Sequence, residues 1–213
     1  MRVGVLGSGQ VGQALGRGFT SRGHGVMLGT RSPESDKVRA WVAEGETRSA
    51  GTFAEAAAFG ELIVLATLGL AAEEALGLAG PDRLADKVVI DATNPLEYPG
   101  DGSVRLAFGF DDSLGERVQR KIPASRVVKA FNTVGNPYMV DPDLPGGPAT
   151  MLICGNDAEA KATVSRICWD FGWEPADLGT IERSRALEEV AMAWVYYGQV
   201  RGTWDHAFKM LHK

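Results

Sequence analysis

A glycine-rich hexapeptide near the start of the chain has the composition needed to hold a nucleotide phosphate. It reads Gly7-Ser8-Gly9-Gln10-Val11-Gly12, a GxGxxG pattern. The first glycine permits a tight turn, the second lets the backbone approach a pyrophosphate, and the third lets a helix pack closely on a strand. The N-terminus of the following helix adds free N–H donors and a positive dipole end. The hexapeptide therefore predicts a site for a dinucleotide pyrophosphate.

The residues around the hexapeptide supply the strand and helix that this chemistry requires. An apolar run from Arg2 to Leu6 predicts a buried parallel strand, and apolar residues recur at helical spacing from Gln10 to Arg22. A glycine-rich turn that binds no ligand is the weaker alternative, because a chance GxGxxG rarely lies directly between a strand and a helix.

The end of the second predicted strand favours NADP(H) over NAD(H). An NAD site places an acidic residue there to bond the ribose 2′-hydroxyl, whereas this chain has Thr30-Arg31-Ser32 after Gly29. A guanidinium can bind a 2′-phosphate through two hydrogen bonds and stack on adenine, and the two hydroxyls add further partners. A solvated loop arginine is the alternative interpretation of Arg31.

Strand and helix patterns alternate along the chain, which predicts an α/β fold. We expect a Rossmann-type, doubly wound, mostly parallel sheet with a small C-terminal α/β-helical lobe. The predicted division is an NADP-binding domain at 1–148 and a lobe at 149–213 packed on it as one structural unit. Predicted strands lie at 2–6, 26–29, 47–49, 62–66, 87–91, 127–130, 150–154 and 173–178, and predicted helices at 10–22, 34–44, 53–59, 71–78, 157–170 and from 183 to the end.

Two long segments without predicted elements, Ala92 to Asp112 and Phe131 to Pro148, each follow a strand. Long loops in a compact domain are usually functional, and in open α/β sheets the ligand crevice lies beyond the carboxyl ends of strands. Asn94 and Asn132 are candidate orienting amides, with turn formation as the alternative role. The loop aromatics could stack on a flat acceptor or anchor the loops to the core; they are Phe108, Phe110 and Tyr138.

No side chain stands out as a catalytic acid, base or nucleophile. Asp91 ends a strand at the crevice, where helix capping or loop bonding is its expected role. His24 is expected in a turn, and His206 and His212 in the terminal helix, without neighbours that could complete a metal site. We therefore expect neither a metal nor a catalytic histidine.

Composition excludes several other classes of function. The formal net charge of −5 argues against nucleic acid or an anionic membrane as partner. Cys154 and Cys168 lie in apolar surroundings and are expected to be buried thiols rather than a disulfide or a zinc site. The first strand leaves no room for a signal peptide, and the apolar stretch Leu62 to Ala72 is too short to span a bilayer. We expect a cytoplasmic protein that acts on a small molecule.

Over nearly its whole length the chain resembles the NADP-dependent reductases of the deazaflavin coenzyme F420. The segments that carry the resemblance are 1–9, 29–31, 88–96, 127–133 and 184–188. The chain has Thr67-Leu68-Gly69 where the family often shows Thr-x-Pro, and Asn132 where typical archaeal members carry histidine. The cytoplasmic domain of certain membrane metalloreductases is also similar.

The resemblance implies a Rossmann domain, a small C-terminal lobe, a homodimer, and hydride transfer between NADPH and coenzyme F420 or a flavin. It also implies a set of cofactor contacts. The pyrophosphate would meet residues 8–11 of the hexapeptide, the 2′-phosphate would meet Thr30 and Arg31 with Ser32 beside them, and the nicotinamide side would be lined by Thr67, Leu68 and Ala130, with Asn94 and Pro95 nearby.

Two other functions remain open on the sequence. The first is a sensor that binds NADP(H) without turnover, which has less need of the long Asn-Pro loops. The second is an imine reductase of the pyrroline-carboxylate type, which usually carries a larger helical C-terminal domain than the thirty or so residues after Gly179.

Overall fold

A single eight-stranded sheet organises the protein in this computed structural model, which describes residues 1–211. Its strand order is β3-β2-β1-β4-β5-β8-β9-β10, and every neighbouring pair is parallel except β8 and β9. The strands are β1 Arg2–Leu6, β2 Gly25–Gly29, β3 Arg48–Gly51, β4 Leu62–Leu65, β5 Val88–Asp91, β8 Arg126–Lys129, β9 Thr150–Gly155 and β10 Glu174–Asp177. The first six positions have the Rossmann order, so the expected doubly wound fold is confirmed.

Eight helices cover the sheet or its ends within the described residues. Their bounds are α1 Gln10–Ser21, α2 Asp36–Ala43, α3 Phe53–Phe59, α4 Ala72–Ala79, α5 Pro81–Leu84, α6 Leu114–Lys121, α7 Ala158–Asp170 and α8 Ser184–Arg201. The inner strands β1, β4, β5 and β8 are buried along most of their length, because helices pack on both faces of the sheet. No helix within residues 1–211 is long and apolar enough to cross a membrane.

Local capping explains where several helices begin. Thr52 accepts a hydrogen bond from the N–H of Glu55, whose carboxylate accepts from the N–H of Thr52, and this capping box starts α3. The Asp157 side chain accepts from the N–H of Ala160 at the start of α7. Ser113 plays the same part at α6, which the sequence interpretation did not include.

The loop predicted to be irregular from 92 to 112 contains a short hairpin. Strands β6 Leu96–Glu97 and β7 Arg105–Leu106 pair antiparallel, and Glu97 lies opposite Arg105. Their side chains form an ion pair of 3.0 Å between Oε2 and Nε.

The prediction of a helix from residue 183 to the end of the chain is wrong beyond Arg201. Helix α8 ends there because Gly202 takes a left-handed conformation, with φ of 69°. The chain then turns back, and Thr150 of β9 donates its N–H to the Phe208 carbonyl at 2.9 Å. His206 therefore lies in this returning tail rather than in a helix, and His212 lies outside the described residues.

Candidate functional site

The three glycines of the hexapeptide occupy three different environments at the β1–α1 turn. Gly7 has φ of 132°, and a Cβ there would lie 2.4 Å from the Ala66 carbonyl oxygen. A Cβ on Gly12 would lie 2.2 Å from the Gly7 oxygen, whereas a Cβ on Gly9 would meet nothing within 4 Å. Gly7 and Gly12 therefore permit the turn and the close helix packing, and Gly9 leaves an open cradle that a side chain would fill.

The cradle lies at the N-terminus of α1, which begins at Gln10 and has no side-chain cap. The first turn of a helix has N–H groups without intrahelical partners, and its dipole favours an anion. The residues present therefore fit a pyrophosphate.

The segment after β2 is joined to this cradle through hydroxyl groups. The Ser8 hydroxyl donates to Thr30 Oγ1 at 3.1 Å, and the N–H of Ser32 reaches the same oxygen at 3.3 Å. Arg31 is exposed between them and forms no ion pair with another described residue. Residues 30–32 carry no carboxylate, so a 2′-phosphate at this position would meet the guanidinium of Arg31 without an acidic side chain next to it in the sequence.

The residues predicted for the nicotinamide side lie beyond the ends of three adjacent strands, β4, β5 and β8. Leu68 is 79% exposed, Thr67 and Asn94 are half-buried, and Pro95 and Ala130 are buried. The glycine that follows Thr67-Leu68 packs directly against the loop after β5. A Cβ on Gly69 would lie 1.8 Å from the Asn94 carbonyl oxygen, so the two loops touch only because this position has no side chain.

The two candidate amides bind each other across the crevice. Asn94 Nδ2 donates to the backbone carbonyl oxygen of Asn132 at 2.7 Å, and Asn132 Nδ2 donates to Asn94 Oδ1 at 2.9 Å. Asn132 Nδ2 also donates to the Leu187 carbonyl of α8 at 3.0 Å. The pair thus joins the loops after β5 and β8 to α8, a contact that turn propensity alone did not predict.

A buried ionic network lies beneath these loops. Lys129 Nζ is 2.8 Å from Asp91 Oδ2 and 3.1 Å from Glu188 Oε1, and it donates to the Thr93 carbonyl at 2.8 Å. Lys129 and Asp91 are fully buried, and Glu188 is 1% exposed. Asp91 also accepts hydrogen bonds from the N–H and hydroxyl of Thr93, so its expected loop-bonding role is confirmed.

Helix α6 supplies the remaining partners of the network. The carboxylate of Glu188 accepts from the N–H groups of Leu114 and Gly115, each at 3.0 Å. Burial raises the pKa of Glu188, against the lowering effect of Lys129 and these N–H donors. Burial also acts to lower the pKa of Lys129, but the charges of Asp91 and Glu188 outweigh it and the pKa is raised. The lysine therefore stays protonated and holds the ends of β5 and β8 together.

Sequence reasoning missed Lys129 and Glu188 as members of one cluster. Both lie in segments that carry the family resemblance, and Lys129 is a charged residue that directly follows the two buried valines of β8. A charge in a buried strand requires a partner, and this was the signal available.

The loop aromatics have different surroundings. The Arg117 guanidinium lies 3.5 Å from the centroid of the Phe108 ring, so Phe108 anchors its loop to α6. Tyr138 packs against the main core cluster. Phe110 is 94% exposed and has φ of 59°, so it is the one of the three without a packing role in the described chain.

The two cysteines are free, buried thiols, as expected. Burial raises the pKa of Cys154 to about 11 and that of Cys168 to about 12. Neither is a nucleophile near neutral pH, because the thiolate is the reactive form.

Comparison with known proteins decides the family. The model of a family described as "NADP oxidoreductase coenzyme F420-dependent" matches residues 2–95. An F420-dependent NADP reductase from Methanocaldococcus jannaschii is 30% identical over 203 residues, covering 89% of each chain. The chain belongs to the F420-dependent NADP oxidoreductase family. It is accordingly an NADP-dependent oxidoreductase, and the expected resemblance is confirmed.

Two further comparisons support this family assignment. A solved structure described as a candidate F420-dependent NADP reductase, from Arthrobacter sp. FB24, has a TM-score of 0.94 at 35% identity and covers 99% of each chain. The metalloreductase STEAP3 of Rattus norvegicus is 29% identical over 200 residues, but the chain spans only 36% of its length.

Imine-reducing enzymes share the fold alone. A reductive aminase from Aspergillus terreus has a TM-score of 0.68 at 21% identity, and the match covers 94% of this chain and 62% of that one. Similarity at this level shows a shared fold and says nothing about the substrate.

Proposed function

We propose that this F420-family reductase transfers a hydride between NADPH and a deazaflavin or flavin-like acceptor in the crevice beyond β4, β5 and β8. The observation that supports the proposal is the open cradle at Gly9, joined through the Ser8–Thr30 hydrogen bond to the segment that carries the exposed guanidinium of Arg31. Bound NADPH supplies the hydride itself, so the protein has to bind, orient and exclude water.

Three groups of residues divide the cofactor between them in this proposal. The pyrophosphate is held by the turn and first helical residues, Gly7, Ser8, Gly9, Gln10, Val11 and Gly12. The 2′-phosphate is held by Thr30, Arg31 and Ser32. The nicotinamide is bordered by Thr67, Leu68, Asn94, Pro95 and Ala130.

The candidate amides orient the loops more directly than they orient a ligand. Both polar atoms of the Asn94 side chain are engaged by Asn132. Asn94 therefore acts on the cofactor by fixing the two loops that border it. No acid or base is required, because hydride passes directly between two rings.

A panel of acceptors tests the function. NADPH oxidation is followed at its absorbance band with 8-hydroxy-5-deazaflavin, FMN, a ferric chelate and a cyclic imine. We expect turnover with the deazaflavin, or with FMN in its place. Turnover with the cyclic imine alone would favour an imine reductase. Tight NADPH binding without turnover on any acceptor would favour the sensor.

We propose a homodimer, because the last turns of α8 expose Tyr196, Tyr197 and Val200 on one side, and exposed apolar patches mark interfaces. Sedimentation of the wild-type protein and of Val200→Asp tests this, since the charge should yield monomers.

We also propose a cytoplasmic location, which suits two unpaired thiols.

The functional division at residue 148 is likewise a proposal. Residues 1–148 carry every proposed cofactor contact. Residues 149–211 extend the same sheet with β9 and β10 and add α8, whose Leu187 carbonyl accepts from Asn132 and whose Glu188 pairs with Lys129.

A further inference from the structure

Two successive residues just beyond β8, Phe131 and Asn132, depart from ordinary packing. Phe131 is buried and has φ of 62°, a left-handed conformation that is unfavourable for a bulky residue. Its N–H donates to the sulfur of Met151 at 3.1 Å, a weak acceptor. Asn132 is 5% exposed, and its Oδ1 is buried without a hydrogen-bond partner among the described residues. Strained backbone and unpaired polar atoms concentrate where a protein binds ligands.

The orientation of the Asn132 amide is fixed by its neighbours. Its Nδ2 faces two carbonyl-type oxygens, Asn94 Oδ1 at 2.9 Å and the Leu187 backbone oxygen at 3.0 Å. Rotating the amide by half a turn would place Oδ1 against both of these acceptors and leave them unpaired. The oxygen is therefore a fixed acceptor that awaits a donor.

Other polar groups nearby do not supply that donor. Asn94 Nδ2 donates to the backbone carbonyl of Asn132 rather than to its Oδ1. Lys129 Nζ is bound by Asp91, Glu188 and the Thr93 carbonyl. The Thr67 hydroxyl, beyond β4, is also buried without a partner. The loops that follow β4 and β8 thus each hold one buried polar atom without a hydrogen-bond partner among the described residues.

We propose that Asn132 Oδ1 is the specificity-determining acceptor for an amide or imide N–H of a ring bound in the crevice. This proposal rests on the proposed function, because two such groups belong to its reactants. One is the carboxamide NH₂ of the nicotinamide, and the other is the imide N–H of a flavin-like or deazaflavin ring. A ligand that carries the N–H donates a hydrogen bond to this unpaired oxygen. A ligand that lacks the N–H leaves the oxygen buried and unpaired, so it binds more weakly.

Ligand pairs that differ only in this N–H provide the test, with binding rather than turnover as the readout. Calorimetry compares NADP⁺ with its 3-acetylpyridine analogue, in which a methyl group replaces the NH₂. In the second arm, 8-hydroxy-5-deazaflavin is compared with its N3-methyl derivative on the NADP⁺-loaded protein. We expect the wild type to prefer the N–H form by about tenfold or more in one arm, and that arm identifies the donor.

Two variants separate recognition from structural damage. Asn132→Leu keeps the side-chain size and should reduce the preference in the responding arm to nearly one. Thr47→Val changes an exposed threonine just before β3, away from every proposed cofactor contact, and should leave that preference unchanged. Circular dichroism and melting establish that each variant is folded. If Asn132→Leu does not fold, the ligand pairs on the wild type still decide the matter.

The outcomes also separate this proposal from the function on which it rests. If NADP⁺ binds tightly and neither arm depends on the N–H, the role of Asn132 is overturned and the proposed function stands. If NADP⁺ does not bind at all, the proposed function itself fails.

Discussion

Replacing Lys129 by methionine tests whether the ionic network beneath the crevice holds the fold together. The substitution keeps an unbranched side chain of similar length and removes the ammonium group. Asp91 and Glu188 then remain buried, 0% and 1% exposed, with no cation between them. Breaking a buried pair in this way costs about 3–5 kcal/mol.

The expected change in melting temperature follows from that cost. For a chain of 150–250 residues, each kcal/mol shifts the melting temperature by about 2–4 °C, so Lys129→Met should melt about 6–20 °C below the wild type. Scanning calorimetry and urea unfolding measure the change. Arg39→Met is the control, because it breaks the exposed pair with Glu34 and should cost less than about 1 kcal/mol.

The pH dependence of the variant gives a second, independent readout. Burial already raises the pKa of Glu188 in the wild type, and without the lysine this effect is less opposed. A carboxyl whose folded pKa exceeds its unfolded value binds more protons when folded, so its contribution to stability grows as the pH falls toward the ordinary carboxyl range. Mild acidification should therefore restore part of the free energy of unfolding that Lys129→Met has lost relative to the wild type. A loss below about 1 kcal/mol with no such recovery would refute the reasoning.

Three further predictions concern single positions. Gly9→Ala places its Cβ in open space, so it should leave the melting temperature unchanged but reduce the affinity for NADPH, measured by calorimetry, about tenfold or more. Gly12→Ala should instead destabilise the apo protein by about 1–3 kcal/mol, because its Cβ collides with the Gly7 carbonyl. Gly69→Ala collides with the Asn94 carbonyl, so it should lower the melting temperature and the turnover rate together, and unchanged values of both would contradict the contact. The hydrogen bond from Arg17 is the largest of the effects that lower the pKa of Glu44 to about 2. The wild type should therefore be more stable than Glu44→Gln at neutral pH, and this difference should disappear as the pH falls from about 4.5 to about 2. The Glu44 side chain is 38% exposed, so the difference in urea unfolding at neutral pH should stay under about 1 kcal/mol, and a difference that persists at pH 2 would contradict the assignment.

The sequence predicted the sheet well, because its information is local there. Buried parallel strands are continuous apolar runs, and the glycine hexapeptide lies directly after one of them, so β1, β4 and β5 were predicted to within one or two residues. The short helix α6 was missed although Ser113 and Glu116 carry the S-x-x-E signature of a helix start.

The contacts that shape the crevice could not be predicted in the same way. Asn94 and Asn132 are separated by 38 residues, and Lys129 meets Asp91 across the same separation. Such pairs follow from strand order, in which β8 lies beside β5, and not from the pattern of either segment. The returning tail was missed for a different reason, since the apolar spacing of α8 gives no stop signal other than Gly202.

The affinity of the two nicotinamide cofactors tests the central claim most directly. Calorimetry with NADPH and NADH is performed on the wild type, on Arg31→Ala, and on Arg166→Ala as an exposed arginine of α7 far along the chain. We expect the wild type to prefer NADPH, Arg31→Ala to lose about 10- to 100-fold in NADPH affinity with NADH unaffected, and Arg166→Ala to change neither. Equal affinity for the two cofactors in the wild type, left unchanged by Arg31→Ala, would contradict the account.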